Sequence, residues 1–566
     1  MTKKLLSLIL VLALVLAMGS AALADYYSNL FPVVETRTPS FKDKTVILHS
    51  NDVHGAIAGY AYMPALRNKI LELGATDVLL VDAGDFTQGD IYVSVNKGKA
   101  AISMMNAAGY DVVTLGNHEF DFGYAQLMEN LKDANFQVIC CNVYNDETGE
   151  TILPPSTVIE TSTGLKLGFV GVETPETATK VNPALITDIS FSNFGKLYDA
   201  VQDAIDDIRD ECDIVIGLTH LGVNAEAAGN GYRSVDLLNT VDGMDFAIDA
   251  HSHTVMSNAK YGLPVQSTGT KFAYVGVVVI DNDTRTIDDH FLLSTTSLDK
   301  DEEVAAAAQE IMDAVDEQYG MPFATTEVRL EGERIPSRTS ETNMGDLVAD
   351  ALAWKVLKEG DLEGIEASHV VAITNGGGIR ASIDPGDVSM KSINSVLPFG
   401  NTVAVIYVTG ADILEALEAS TFSTPEQVGG FPQTSGIEWT VDCNNAFDKG
   451  DVYTLYGKDT SYFAPASIQR VTITAINGEP FDPAATYAVV TNNFIAEGGD
   501  TYNVFNRAYE AGTGFDTGIT MDQAVVEYVT EALNCVISAE QYGAPRGSLT
   551  ILLPEDTDEE AVEPAA

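Results

Sequence analysis

The sequence predicts an α/β protein made of two unlike halves joined by a helix. Three observations carry this expectation. The chain has 566 residues, several times the usual domain length, so size alone demands at least two cores. From Lys44 to about Asp299, short β-branched apolar runs alternate with helical stretches such as Gly98 to Ala108 and Gly195 to Arg209. Beyond about Met321 the mixture of strands and helices changes, and the pattern that marks the first half stops.

The elements follow in order. Residues 1–24 read as a signal peptide: two lysines, an apolar stretch from Leu5 to Met18, then Ala22-Leu23-Ala24 before Asp25. The apolar stretch is shorter than the roughly 20 residues a membrane span needs, and no cysteine near the cut could take a lipid. The expected mature protein is therefore secreted and has no membrane span. Nothing in the residues specifies an oligomeric state.

Residues 42–298 form the first expected domain, and five of its strands end in oxygen or imidazole donors. Thr45 to Leu48 leads into His49-Ser-Asn-Asp52-Val-His54, and Asp77 to Val81 into Asp82-Ala-Gly-Asp85. Asp111 to Leu115 leads into Gly116-Asn117-His118-Glu119-Phe120-Asp121. Ile214 to Leu218 leads into Thr219-His220, and Phe246 to Ile248 into Asp249-Ala-His251-Ser-His253. Such strands, apolar on both faces, fit a layered sheet with helices outside, where ligands collect beyond the strand ends. A lone Asp after a strand is usually a turn former or a cap. Five in succession, with six of the chain's eight histidines in or beside them, point to a site.

Residues 299–322 read as an acidic linker helix, with Val304, Ile311, Met312 and Val315 at helical spacing. Residues 323–553 form the second domain, and residues 554–566 an acidic, disordered tail. Five cysteines are too few for a disulfide scaffold, and Cys140 and Cys141 read as buried thiols, with a bridge among Cys212, Cys443 and Cys535 left open.

A net charge of −51 argues against nucleic acid or an anionic membrane as partner, since both are polyanions. A solvated acidic coat explains the charge best. A phosphate-bearing substrate would then need local cations to overcome the surface field.

Carboxylate, amide oxygen and imidazole without thiolate suit Zn, Mn, Fe or Mg. Two such ions about 4 Å apart, sharing a carboxylate, can activate a water and polarise a phosphoryl group. Phosphate-monoester hydrolysis needs more than about 20 kcal/mol of barrier lowering. An acid–base pair alone supplies only about two to four powers of ten.

The order Asp52-x-His54, Gly84-Asp85, Gly116-Asn117-His118-Glu119, His220 and His251-x-His253 resembles the calcineurin-like metallophosphatases. Taken with the C-terminal half, the chain is similar to the 5'-nucleotidase family, which includes periplasmic UDP-sugar hydrolases and ecto-5'-nucleotidases. The resemblance implies a layered αββα metallophosphatase sandwich, a helical linker and a C-terminal α+β substrate-recognition domain. It implies two divalent metal ions, Zn, Mn or similar, one on Asp52, His54 and His253 and one on Asn117, His220 and His251, with Asp85 bridging. His118 and Asp121 match the family's catalytic pair, His118 charged and Asp121 orienting its ring. The nucleophile would be an activated water. Ala250 departs from the family's glycine before the His-Ser-His segment.

In the second half, Asn375-Gly-Gly-Gly-Ile-Arg380 follows a strand, so backbone donors and a guanidinium could meet an anion. Leu397-Pro-Phe399-Gly-Asn401 and Asn493-Phe494 to Asp500 place aromatics beside loop formers, where a Phe alone is usually core. The resemblance implies more: Phe399 and Phe494 sandwich a base, Asp500 accepts from a ribose hydroxyl, and Arg338, Asn375 and Arg380 bind the anion. Pro432-Gln-Thr-Ser-Gly436 is read as structural. The nucleotide substrate would then bridge an interdomain cleft.

The expected activity is hydrolysis of nucleoside 5'-phosphates to nucleoside and phosphate. The same ligands would also serve a 2',3'-cyclic nucleotide phosphodiesterase or a hydrolase of UDP-sugars or nucleoside di- and triphosphates. A surface binding or adhesion protein on this scaffold would be expected to have lost ligands, whereas every expected position here holds a competent donor.

Overall fold

The computed structural model describes residues 40–554 apart from 194, 225, 226, 228–230, 258–262, 361 and 363. The expected leader at 1–24 and the tail beyond Pro554 lie outside the described residues. No described helix is long and apolar enough to cross a membrane.

The first half is two six-stranded sheets packed face to face. One runs Thr286–Ser294, Tyr274–Asp281, Lys44–Ser50, Asp77–Asp82, Val112–Thr114, Gln137–Ile139. The other runs Val255–Ser257, Val265–Thr268, Phe246–Asp249, Ile214–His220, Lys166–Glu173, Ser156–Glu160. The strands that carry the expected ligands pair in parallel, Lys44–Ser50 with Asp77–Asp82 and Phe246–Asp249 with Ile214–His220, so their C-terminal ends share one edge.

Side-chain alternation builds the layers. In the first strand Ile47 faces the opposite sheet, while Val46 and Leu48 face the helices. In Lys166–Glu173, Leu167 and Phe169 face inward, and Val170 and Val172 pack with Leu197, Val201 and Ile205 of the helix Gly195–Arg209. With both faces covered, the runs read as continuously apolar rather than alternating. This is the expected αββα sandwich.

The joining helix spans Glu302–Tyr319, with the Asp301 side chain capping the N–H groups of Glu303 and Val304. Its buried residues Val304, Ala308 and Val315 belong to the core of the first half.

The second half centres on a five-stranded sheet ordered Pro432–Ser435, Val370–Asn375, Thr486–Asn492, Thr402–Thr409, Gly514–Thr520. The helix Asn343–Glu359 covers one face and the helix Gly410–Ser420 the other. The stretch read as structural is an edge strand here, and its Gln433 side chain donates to the carbonyls of Ser337 and Ser340. All five cysteines are unpaired, Cys140 and Cys141 buried, so the bridge left open by the sequence does not form.

Candidate active site

The strand ends converge on one cluster. Asp52, His54, Asp85 and His253 offer ligand atoms that all lie within 4.8 Å of one another. His220 Nε2 stands 3.2 Å from Asp85 Oδ2 on the other side, and His251 Nδ1 is 2.9 Å from Asn117 Oδ1. Asp85 thus faces both groups. Ala250 is fully buried in the core between the sheets, so its extra methyl is accommodated.

The backbone is bent to make this possible. Asp52, His54, Asp85, His251 and His253 all have positive φ, between 46° and 70°. Non-glycine residues in this region cost of order 1–3 kcal/mol each and collect at functional sites. Glycines permit the crowding: a Cβ on Gly116 would stand 2.3 Å from Asp85 Oδ1 and 2.6 Å from His220 Cε1.

Surrounding groups fix the ligands. Glu119 accepts from the N–H groups of Gly116, Asp85, Phe86 and Thr87 at 2.6–2.9 Å, clamping two strand ends together. Asn51 Nδ2 donates to Asp52 Oδ2 at 2.6 Å, and its Oδ1 accepts from Thr268. The His251 N–H donates to Asp52 Oδ1, and the His118 N–H to Asp85 Oδ1.

The donor set fits metal ions. His54 Nδ1 lies 3.2 Å from the Gln88 carbonyl and His220 Nδ1 2.8 Å from the Ala83 carbonyl, which assigns the protons to Nδ1 and turns both Nε2 lone pairs inward. His220 Nε2 is buried and has no hydrogen-bond partner. His253 Nε2, 2.9 Å from His54 Nε2, also faces the Arg334 guanidinium at 3.4 Å. His251 is turned the other way, Nε2 toward Glu176 Oε2 at 3.2 Å, so Nδ1 faces the Asn117 oxygen as a second acceptor. Acceptors converging in this way need a cation between them.

Charge and burial act in opposition. Burial pushes Asp52 up to about 7. Burial would raise Asp85 too, but His220, 3.2 Å away, holds it well below the usual carboxylate range.

His118 Nδ1 lies 2.6 Å from Asp121 Oδ2. Burial pushes His118 well below its ordinary value against the pull of Asp85, and Arg380 adds to the lowering. Burial and the Asp85 charge push Asp121 up.

The second half forms the opposite wall of one cavity. Asp85, Asn117, His118, Asp121, His251 and His253 line it together with Arg338, Asn375, Arg380, Phe399, Phe494 and Asp500. Phe399 stacks on His118 with ring centroids 5.6 Å apart, and the Arg380 guanidinium lies 5.7 Å over the Phe399 ring. Burial, then Arg338, lowers Arg380 to about 10, which leaves it cationic at neutral pH. Phe494 is buried beneath Gly499.

Sequence reasoning missed Arg334, Lys180, Glu176 and the clamp made by Glu119. Arg334 begins the short helix Arg334–Thr339, and its spacing of four from Arg338 puts both on one face, a signal that was available. The others act through tertiary approach.

Comparison with known proteins accords with this geometry. Residues 45–255 match the calcineurin-like phosphoesterase family and residues 322–507 the 5'-nucleotidase C-terminal domain. The trifunctional nucleotide phosphoesterase YfkN of Bacillus subtilis is 31% identical over 83% of this chain, which spans only 33% of that protein's length. A snake venom 5'-nucleotidase of Gloydius brevicauda is 28% identical over 81% of this chain and 82% of its own. The crystal structure of a 5'-nucleotidase precursor from Thermus thermophilus superposes with a TM-score of 0.73 at 26% identity, covering 90% of this chain and all of that one. With a phosphoesterase domain whose Asp and His cluster could bind metal and a nucleotidase C-terminal domain behind it, the chain belongs to the 5'-nucleotidase family and is a metal-dependent phosphoric monoester hydrolase.

Proposed function

We propose that the chain is a secreted 5'-nucleotidase that converts nucleoside 5'-monophosphates to nucleoside and phosphate, using two divalent ions, Zn, Mn or similar. The observation that carries the reading is the shared cavity: inward-turned metal donors form one wall, and two phenylalanines, three arginines and Asp500 the other. The leader-like residues 1–24 and the venom relative support secretion.

Bound divalent ions would supply charge compensation and a water acidic enough to attack at neutral pH. The chain's own residues do the rest. Arg334, Arg338 and Arg380 bind the phosphate oxygens, and bidentate guanidinium contacts fix the phosphoryl group in line. His118, held by Asp121, faces the same space; a phosphate dianion would raise its proton affinity, so that it stabilises the charge developing on the leaving or equatorial oxygens. Phe399 and Phe494 stack on the base without selecting its identity. Asp500 accepts from a ribose hydroxyl.

The test is phosphate release with Mn or Zn present from AMP, ADP, ATP, UDP-glucose, 2',3'-cyclic AMP and a simple aryl monoester. Preferred cleavage of AMP or another 5'-monophosphate is expected. A preference for the cyclic or sugar substrate would move the protein elsewhere in its family, and equal cleavage of the aryl ester would remove the nucleotide assignment. Removal of metal by a chelator should abolish turnover and lower Tm. Ions at a thousandfold their Kd contribute about 4 kcal/mol to stability.

A further inference from the structure

The nucleoside end of the cavity contains a cation from the first half of the chain. Strand Lys166–Glu173 runs into the short helix Thr177–Lys180, and this turn reaches the second half at Asp500. The Asp500 N–H donates to the Thr179 carbonyl at 2.6 Å. Lys180 Nζ donates to Asp500 Oδ1 at 3.3 Å and to the Tyr462 hydroxyl at 2.6 Å, while Asn375 Nδ2 donates to Asp500 Oδ2 at 3.0 Å. The Lys180 and Asp500 side chains are only 11% and 3% exposed, and both line the cavity. Asp500 has φ of 51°, so its carboxylate is delivered by a strained backbone that other contacts must hold.

We propose that Lys180 is a positioning residue for ribose recognition: it holds the Asp500 carboxylate ionised and aimed, so that selectivity for the sugar hydroxyls is assembled from both halves of the chain. The proposal rests on the nucleotide reading above. A carboxylate has about four lone-pair sites, so donors such as Lys180 and Asn375 can orient it while it still accepts a hydroxyl. An ionised acceptor makes roughly twice as strong a hydrogen bond as a neutral one. A low-exposure carboxylate deprived of its ammonium partner turns or takes up a proton, and either change weakens the bond to the sugar. The phosphate end does not depend on Lys180, because the guanidinium groups proposed for it belong to Arg334, Arg338 and Arg380.

The experiment compares wild type, Lys180→Met and Lys180→Arg on AMP, 2'-deoxy-AMP, 3'-deoxy-AMP and an aryl monoester, with kcat and KM separated. In Lys180→Met, KM for AMP should rise about 10-fold with kcat within about 3-fold, as expected for loss of a charge-assisted bond. The penalty for deleting a sugar hydroxyl should shrink toward 1, and aryl-ester turnover should fall by less than about 3-fold. Lys180→Arg should restore most of the hydroxyl penalty. The proposal is overturned if wild type prefers AMP but Lys180→Met keeps the wild-type hydroxyl penalty, or loses AMP and aryl-ester turnover equally. If wild type does not distinguish AMP from the aryl ester, the nucleotide reading itself fails and this proposal falls with it.

Discussion

The Glu119 carboxylate accepts the Asp85 N–H at 2.8 Å across two strand ends, and the same carboxylate accepts from Gly116, Phe86 and Thr87. A glutamine would turn an NH2 group toward N–H donors and open the clamp. Glu119→Gln should therefore weaken metal binding about 10- to 100-fold, the range seen when a ligand's supporting shell is lost. Metal titration by calorimetry checks this, and undiminished affinity would show the clamp to be dispensable.

His118→Ala separates chemistry from metal holding. Asp85 is contacted by the His118 backbone N–H, which alanine retains. Metal content should stay at the wild-type level while kcat falls by about two to four powers of ten. Parallel loss of metal would instead make His118 a support for the cluster.

The two phenylalanines should behave differently. Phe399 is partly exposed over His118, whereas Phe494 is buried in the core of the second half. Phe399→Ala should raise the nucleotide KM by an amount corresponding to about 1–3 kcal/mol of stacking, with Tm nearly unchanged. Phe494→Ala should raise KM and also destabilise the second half by about 3–5 kcal/mol. Kinetics paired with thermal unfolding distinguish them.

Away from the site, burial pushes Asp346 up to about 7, although the Arg546 N–H and guanidinium contact it. A carboxyl whose folded pKa is raised binds its proton more tightly when folded. Its favourable contribution is complete below the unfolded value near 4 and is lost as pH rises through about 7. Asp346→Asn should therefore raise Tm more at pH 8 than at pH 4.5. A larger gain at the acid end would contradict this assignment.

Much of the layered half was legible because parallel strands buried on both faces are written as short apolar runs with polar residues at their ends. Asp52, His54, Asp85, Asn117, His220, His251 and His253 stand at those ends, and the structure gathers them. The positive φ of five of these was not legible, since no glycine marks those positions. Glu176 and Lys180 were missed for a related reason: they lie in a turn with no periodicity of its own, and their partners His251 and Asp500 are 75 and 320 residues away.

The joining helix also determines how the protein can be divided. Because Val304, Ala308 and Val315 complete the first half's core, a fragment ending at 298 would bare the apolar residues they cover. A fragment carried through Tyr319 keeps those residues covered. A swivel between the halves that kept this core whole would lie beyond Val315, and the ion pair of Lys391 with Asp316 at 2.6 Å ties the second half to the joining helix near that point.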